Sequence, residues 1–511
     1  MRALLVTSVG VTCAAALTLP LAAPALSAPA PHSASARPPW VSPESPGSPG
    51  SPGSGPPSAR AEAAYGEANA SDAAPPSARA GETRAAEPAG STQSLPLEPL
   101  AAPSDRGLGR SAAGQGLDRR TARPFSLVGV VWDDAGAELH GTVQVRTRAT
   151  GGTSWSDWQD VETHNAEHAA DLGSAERASG AVRGATAPLW VGDSDGVEVR
   201  VRPEAAGPQH RSAAVPLPEG LRLELVDPGE DPAPEPARAA PAGRAATPAM
   251  FAGNPVPPTT TTGMPEVLTA ESAAASAVNA ELAPLGAAVI PALTKAQTEE
   301  AAIVAAGAKP YIGPRPGIVT RRGWGADERL RERNFVYTRS VKAAFVHHSA
   351  TGNNYTCKQA PSVLRSIYRY HTLSSGWRDI GYNFAIDKCG NIYEGRAGGV
   401  AKAVMGAHTL GFNTNTMGVA VLGTYSSSNP PAAAVTAVSK LTAWKLGLFG
   451  ANPKGKVTLV SAGSNKYKKG RKVKMDVISG HRDGFATECP GARLYKKLGT
   501  ARTTSAKLQG R

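Results

Sequence analysis

VKAAFVHH, residues 341–348, is a short apolar run that ends on two histidines. Its length and composition predict a buried strand. Further along the chain, residues 479–491 read SGHRDGFATECPG and contain a histidine and a cysteine. Two imidazoles and one thiolate suit zinc, and three protein ligands leave a fourth position open, which is typical of catalytic zinc sites. The sequence therefore predicts a zinc hydrolase whose ligands are His347, His481 and Cys489.

Strands and helices alternate around these residues. Apolar positions at helical spacing predict a helix from Pro361 towards His371, and a long helix is predicted from about Ala432 to Leu448. Between them, residues 381–387 and 417–422 are typical of strands, and the first of these continues into a hairpin. Interleaved strands and helices predict an α/β domain with a mixed central β-sheet flanked by helices.

Six motifs in this region carry a resemblance to a known family. They are RRGWGA (321–326), FVHHSA (345–350), DIGYNFAID (379–387), IYEGRAGG (392–399), GAHTLGFNTNTMGVAVLG (406–423) and ISGHRDGFATECPG (478–491). In this order and spacing, residues 317–498 resemble the peptidoglycan recognition protein domain, which is close kin of the zinc-dependent N-acetylmuramoyl-L-alanine amidases, or type 2 amidases. The resemblance implies that fold and a hydrolase of the muramyl–L-alanine amide bond. The preceding 316 residues lie outside it.

The resemblance also implies roles for individual residues. Zinc would be held by the same three residues that metal chemistry selects, and would lower the pKa of a bound water to about 7 and polarise the scissile carbonyl. Tyr382 matches an active-site tyrosine that can stabilise an oxyanion or relay a proton. Thr487 stands where active relatives have lysine or threonine, and is expected to orient substrate or water. No carboxylate takes a clear position as general base.

Substrate-binding residues are expected along a groove. By resemblance, His371, His408 and Asn413 line the groove that accepts the muramyl peptide. His348, next to a ligand, is expected to face substrate or to support the ligands from behind rather than to bind metal. Two of these assignments compete with simpler ones. Tyr382 could be a core residue of its strand, because strands favour aromatic residues, and His371 could be a structural histidine among apolar neighbours.

A second histidine motif occurs far upstream. Residues His164 to His168 read HNAEH, which matches the H-x-x-E-H pattern of one class of zinc protease. That pattern requires a helix that holds both histidines on one face, whereas this segment lies between strand-like runs with Gly173 close behind. We therefore expect it to have no role in metal binding.

Composition divides the chain into segments. The start of the chain has the layout of a secretory signal. Pro/Ala/Ser/Gly-rich stretches that include SPGSPGSPGS cannot bury enough apolar surface to fold. One region shows short runs in which apolar and polar residues alternate, as in strands. Trp155 and Trp158 in that region could form a ligand platform, but packing is the more common use. The predicted segments are a signal peptide (1–30), a disordered spacer (31–121), a small antiparallel β-sandwich (122–227), a linker (228–316), the catalytic domain (317–500) and a basic tail (501–511).

The cysteines bear on the metal site. Signal removal would take away Cys13 and leave Cys357, Cys389 and Cys489, an odd number for an oxidising compartment. If Cys357 and Cys389 pair, Cys489 stays free for metal. Other pairings would use Cys489 and abolish the site.

The formal net charge of +12 suits an anionic partner, such as wall polymers or nucleic acid. The densest basic run, Lys466 to Lys474, is typical of a hairpin in an insertion rather than of a nucleic-acid module, so no nucleic-acid partner is expected. We expect a monomer without a stable membrane anchor that is secreted to the extracellular space or cell wall and binds peptidoglycan.

Three functions compete at this stage. The first is a secreted zinc amidase. The second is a peptidoglycan-binding or recognition module whose zinc site is not productive. The third is a wall-tethered scaffold in which the β-sandwich carries the function.

Overall fold

The computed structural model describes residues 90–100, 114–163, 166–204, 215–232, 268–306 and 311–511, without the side chains of 303–306. All of them belong to one compact unit, which spans Thr83–Arg511. The predicted signal peptide and most of the predicted spacer lie outside the described residues.

Residues 90–232 form an antiparallel β domain. Its main sheet has the order β1-β8-β3-β7-β4-β5, and the short β2 and β6 pair with β3. Alternate valines of β4 and β7 are buried against each other, as period-two patterning requires. The strands are β1 (Ser91–Pro96), β2 (Glu98–Pro99), β3 (Gln115–Trp132), β4 (Gly141–Ala149), β5 (Gln159–Val161), β6 (Gly184–Ala185), β7 (Leu189–Pro203) and β8 (Arg222–Asp227).

The small antiparallel β domain was correctly predicted, but its start was not. The spacer prediction is wrong for residues 91–96, which pair along their whole length with β8, and for residues 115–121, which begin β3. Trp155 and Trp158 stack under arginines, with the Arg200 guanidinium 3.9 Å from the ring centre of Trp158 and the Arg119 guanidinium 5.2 Å from that of Trp155. This is packing of the kind expected for tryptophans in a small β domain.

Residues 268–511 form the α/β domain around a seven-stranded sheet of order β17-β11-β14-β12-β13-β10-β9. Strands β17, β11, β14 and β12 run parallel, and β13 is antiparallel to β12. The mixed sheet is therefore confirmed. The strands are β9 (Val289–Ile290), β10 (Ile318–Val319), β11 (Ala343–His348), β12 (Phe384–Ile386), β13 (Ile392–Glu394), β14 (Thr416–Val421), β15 (Lys456–Val460), β16 (Lys472–Asp476) and β17 (Ile478–Gly480).

Helices cover both faces of this sheet. They are α1 (Ala270–Ala277), α2 (Lys295–Ala306), α3 (Ala360–Arg369), α4 (Ala432–Leu448), α5 (His481–Gly484), α6 (Ala492–Tyr495) and α7 (Leu498–Gln509), with a π-helical turn at Tyr370–Ser374 and 3-10 turns at Arg177–Ser179, Glu328–Leu330 and Cys357–Gln359. The predicted helix at 432–448 is confirmed. The basic run lies in a hairpin, but the arms of that hairpin are β15 and β16, and of residues 466–474 only Lys472 to Lys474 belong to a strand. Among the described residues, none of these helices is long and apolar enough to cross a membrane.

Two predicted boundaries of the α/β domain are wrong. The described part of the predicted linker contains α1, α2 and β9, and β9 pairs with β10 at the edge of the sheet. Asn279, just after α1, donates a hydrogen bond to the buried Glu394 carboxylate at 2.8 Å. The predicted tail lies mostly in α7, whose Ser505 hydroxyl is 2.7 Å from that of Thr442 on α4. Both segments are part of the folded domain because their alanine-rich faces pack on the sheet or on α4.

The β domain and the α/β domain share a buried core. Leu127, Trp190 and Val226 of the β domain pack in the same apolar cluster as residues of α3 and the sheet. The Tyr370 hydroxyl donates to the carbonyl of Thr186 at 3.1 Å. The two domains therefore form one packed body.

Cys357 and Cys389 form a disulfide with their Cα atoms 6.1 Å apart. Within the described part of the chain, Cys489 is the free cysteine, and it is buried. The pairing that leaves Cys489 available for metal is thus the one present.

Candidate metal centre

The parallel pairing of β11 and β17 brings two of the predicted ligands together. Val346 lies opposite Gly480 in this pairing, so the next residues, His347 and His481, leave the same end of the sheet side by side. Cys489 follows α5 and returns to them, with its Sγ 3.7 Å from Nδ1 of His347. The three predicted ligands therefore meet in the fold.

A fourth side chain joins this group. Possible ligand atoms of His168, His347, His481 and Cys489 all lie within 4.8 Å of one another, and all four residues are buried. Nε2 of His168 lies 3.6 Å from the Cys489 Sγ, and its ring centre is 4.5 Å from that of His481. His168 belongs to the β domain, so the cluster is built from both domains.

The donor set fits a zinc-class metal. Neither ring nitrogen of His481 makes a hydrogen bond of acceptable geometry with the described residues, although both nitrogens are buried. Buried polar atoms normally have partners, and a cation bound to one of these nitrogens, beside a thiol and two further imidazoles, would supply a partner for it. Imidazole and thiolate are the ligands that zinc prefers.

Burial sets the protonation of the ligands. It lowers the pKa values of His347 and His481 well below the ordinary value, and neighbouring histidines lower them further. Burial also raises the pKa of the Cys489 thiol. The imidazoles are therefore neutral and have a free lone pair, whereas the thiol needs a bound cation to stabilise its anion.

His408 supports one ligand from behind. Its Nδ1 lies 3.3 Å from Nε2 of His347 and 3.0 Å from the Thr409 hydroxyl. Burial, with a smaller contribution from Arg396, lowers the pKa of His408 to about 3, so its ring is neutral. A hydrogen bond to the second nitrogen of a ligating histidine fixes the orientation of the ring.

Tyr382 lies beside the cluster, just before β12. Its ring centre is 5.6 Å from that of His347 and 5.8 Å from that of His168. Burial raises its pKa, as do the charges of Cys489 and Glu167, so the phenol keeps its proton and can donate a hydrogen bond.

His371 lies behind Tyr382. Its Nδ1 accepts a hydrogen bond from the backbone N–H of Gly381 at 3.2 Å, and its ring stacks on Trp377 with centres 4.3 Å apart. These contacts hold the backbone that carries Tyr382, while the ring itself is buried.

The other predicted site residues contact the β domain. The Thr487 hydroxyl donates to the Glu167 carboxylate at 2.7 Å and accepts from the backbone N–H of Cys489 at 3.1 Å. Asn413 donates to the Asp171 carboxylate at 2.7 Å. His348 accepts from the backbone N–H of Tyr425 at 3.3 Å, and its Nε2 lies 3.7 Å from the Glu162 carboxylate.

The expectation that HNAEH plays no part at the metal site is wrong for its last histidine. The segment lacks the helix that the motif requires, and His168 instead reaches the cluster from a loop. Glu167 beside it contacts Thr487, and His164 lies outside the described residues. The motif itself was the available signal, but nothing in the sequence indicated that the β domain packs over the α/β domain.

Comparisons with known proteins also separate a β domain from an α/β domain. Residues 76–219 match a family model described as Rv3811 N-terminal galactose-binding domain-like, and residues 337–492 match one described as N-acetylmuramoyl-L-alanine amidase. Peptidoglycan-recognition protein SC2 of Drosophila simulans is 31% identical over 185 residues, which cover 36% of this chain and 85% of that protein. The human N-acetylmuramoyl-L-alanine amidase is 31% identical over 36% of this chain and 28% of its own length.

Among solved structures, Drosophila PGRP-LB is similar, with 26% identity, coverage of 36% of this chain and 92% of that chain, and a TM-score of 0.29. The 31% identity with the Drosophila simulans protein, over 85% of that protein's length, defines the class of protein. The chain belongs to the peptidoglycan recognition protein and type 2 amidase family.

Proposed function

We propose that the chain is a zinc-dependent N-acetylmuramoyl-L-alanine amidase, which hydrolyses the amide between N-acetylmuramic acid and the L-alanine of peptidoglycan. The observation that carries the proposal is the meeting of His347, His481 and Cys489 at one end of the sheet with Tyr382 beside them. The match to an amidase model over residues 337–492 supports the same reaction.

In this proposal each residue has one task. His347, His481 and Cys489 would hold zinc, which would supply an activated water and polarise the scissile carbonyl. Tyr382 donates its phenolic hydrogen bond to the oxygen that gains negative charge. His408 orients His347 through the 3.3 Å contact between their rings.

The residues around these bind and position substrate. Asn413 and Thr487 offer an amide N–H and a hydroxyl to the peptide, since both already act as donors to oxygen atoms in this structure. His371 holds the backbone of Tyr382. His348 takes the supporting role of the two predicted for it, because its Nδ1 accepts a hydrogen bond from the backbone of Tyr425.

A second candidate function is non-catalytic peptidoglycan recognition. The observation that favours it is His168, because four protein ligands give the closed arrangement of a structural zinc site. In that case zinc would brace the two domains and the groove would bind wall fragments without cutting them.

We further propose secretion to the cell wall or extracellular space. The Cys357–Cys389 disulfide suits an oxidising compartment. The net charge of +12 favours contact with anionic wall polymers.

The test uses purified peptidoglycan and measures newly formed amino groups on L-alanine. We expect release with zinc-loaded protein, loss on treatment with a chelator and recovery on addition of zinc. The assay is run on the wild type and on His168→Ala. The variant would reveal amidase activity that His168, as a fourth zinc ligand, blocks in the wild type. Absence of release from both proteins, with intact zinc and firm binding to the wall, would favour recognition without catalysis.

A further inference from the structure

The loop between β5 and β6 of the β domain packs against the candidate metal centre and against the loop before β14, where the family resemblance places the substrate groove. Residues 167–171, Glu-His-Ala-Ala-Asp, are all buried, and we call them the plug. They lie in the connection from Val161 to Gly184, outside the strands of the β domain.

The plug satisfies hydrogen-bond donors of the loop before β14. The backbone N–H of Leu410 donates to the carbonyl of Glu167 at 2.9 Å. The backbone N–H of Gly411 donates to the Asp171 carboxylate at 2.8 Å, and the Asn413 side chain donates to that same oxygen and to the carbonyl of Ala169. An extended peptide with carbonyl and carboxylate oxygens would make the same bonds.

The other side of the plug contacts the candidate metal centre. Glu167 accepts from the Thr487 hydroxyl at 2.7 Å, and the His168 ring packs between His347, His481 and Tyr382. His168 is thus placed where water and the scissile carbonyl must approach the ligands. The centre is closed from the side of the β domain.

A buried ion pair holds the far end of the loop. Arg396 donates to both carboxylate oxygens of Glu176 at 2.8 and 2.9 Å, and both side chains are almost fully buried. Further from the groove, Ser374 donates to Glu224 of β8 at 2.9 Å. These anchors lie outside residues 167–171, so displacement of the plug alone would leave them in place.

We propose that residues 167–171 are an internal inhibitor of the groove: His168 takes the fourth ligand position, and the acidic and carbonyl oxygens of the plug occupy the donors that a muramyl peptide needs. The wild-type chain is then slowed rather than silent, because it cuts peptidoglycan only in the minor fraction of molecules whose plug is displaced. This inference rests on the proposed amidase function for its consequence, but not for its geometry.

The geometry is tested first without enzyme activity. Metal-free protein is treated with N-ethylmaleimide, and alkylation of Cys489 is followed by peptide mass mapping. In the wild type, Cys489 should react far more slowly than a free thiol of glutathione. In His168→Ala and Asp171→Ala it should react about tenfold faster, because the groove opens without unfolding. His140→Ala, an exposed histidine of the same domain, is the matched control and should behave as the wild type.

The consequence is tested with zinc-loaded protein on purified peptidoglycan. Both plug variants should keep about one zinc per chain, because His347, His481 and Cys489 remain in each of them. Both should release L-alanine amino groups about tenfold faster than the wild type, as expected when a closed state is no longer favoured. If His168→Ala does not show a cooperative thermal transition, Asp171→Ala carries the same expectation, since it leaves all four candidate ligands in place.

The outcomes separate the two proposals. Faster alkylation without hydrolysis by any variant would uphold the plug and contradict the amidase. Equal hydrolysis by the wild type and both plug variants would contradict the plug and uphold the amidase. Loss of zinc from His168→Ala, or reaction of wild-type Cys489 at the rate of free glutathione, would overturn the plug outright.

Discussion

The site residues do not act as isolated side chains, and His371 shows this best. It touches neither the candidate ligands nor the plug, yet it fixes the backbone before Tyr382 through one hydrogen bond from Gly381 and a stack on Trp377. His408 does the same for His347. The α/β domain thus uses buried, neutral histidines to position its site residues. A buried neutral histidine lowers the stability of the fold at acid pH, because only the unfolded chain can bind the proton.

We predict that His371 makes the fold sensitive to acid. Burial, with a smaller contribution from Arg396, lowers its pKa from 6.5 to about 3. Below pH 6.5 the unfolded chain binds a proton at His371, whereas the folded chain does not. The contribution of His371 to the free energy of unfolding is therefore complete above pH 6.5 and is lost as the pH falls towards about 3. The loss from this residue is up to about 1.4 kcal/mol per pH unit.

The measurement is urea unfolding between pH 7 and pH 4 for the wild type, His371→Gln and the control His140→Gln. We expect a smaller slope of stability against pH in His371→Gln, and the wild-type slope in the control. Equal slopes in all three proteins would show that His371 is not buried as a neutral ring.

Elements bring the site together in two ways. The register of β11 against β17 places His347 beside His481, and β11 against β14 places the loop with His408 behind them. The β domain contributes through a loop instead, held by contacts such as that of Tyr370 with Thr186. The π-helical turn after α3 carries this tyrosine into the shared core.

We predict that this one hydroxyl helps to hold the domains together. Tyr370→Phe removes the hydrogen bond that the Tyr370 hydroxyl donates to the buried carbonyl of Thr186. Loss of this hydrogen bond should lower the free energy of unfolding by about 1 kcal/mol. Tyr311→Phe, on an exposed ring, is the matched control, and its change should stay within about 0.5 kcal/mol. Urea midpoints compare the two, and equal midpoints would refute a stabilising role of the Tyr370 hydroxyl.

At the scale of the whole molecule, sequence reasoning succeeded where the signal is local or ordered along the chain. The helix at 432–448 and the meeting of His347, His481 and Cys489 followed from apolar spacing and from motifs in register. The edge strand β1 was missed because its partner β8 is far away in sequence, and α1 and α2 were missed because alanine-rich helices resemble linkers in composition.

His168 was missed for a related reason. Its role depends on how two domains pack, and period-two patterning in the β domain says nothing about which loop enters a groove of another domain. The consequence is that four side chains, rather than the three predicted from the sequence, lie close enough together to hold a metal.

The central claim is that Cys489 is a ligand of a catalytic zinc. The most direct test is the zinc content and amidase activity of Cys489→Ala, measured beside the wild type and, to exclude latency, in the His168→Ala background. In the His168→Ala background, where only His347 and His481 would remain as ligands, we predict loss of zinc together with loss of L-alanine release, with a thermal transition that remains cooperative. Retained zinc and retained hydrolysis by Cys489→Ala in that background would contradict the account.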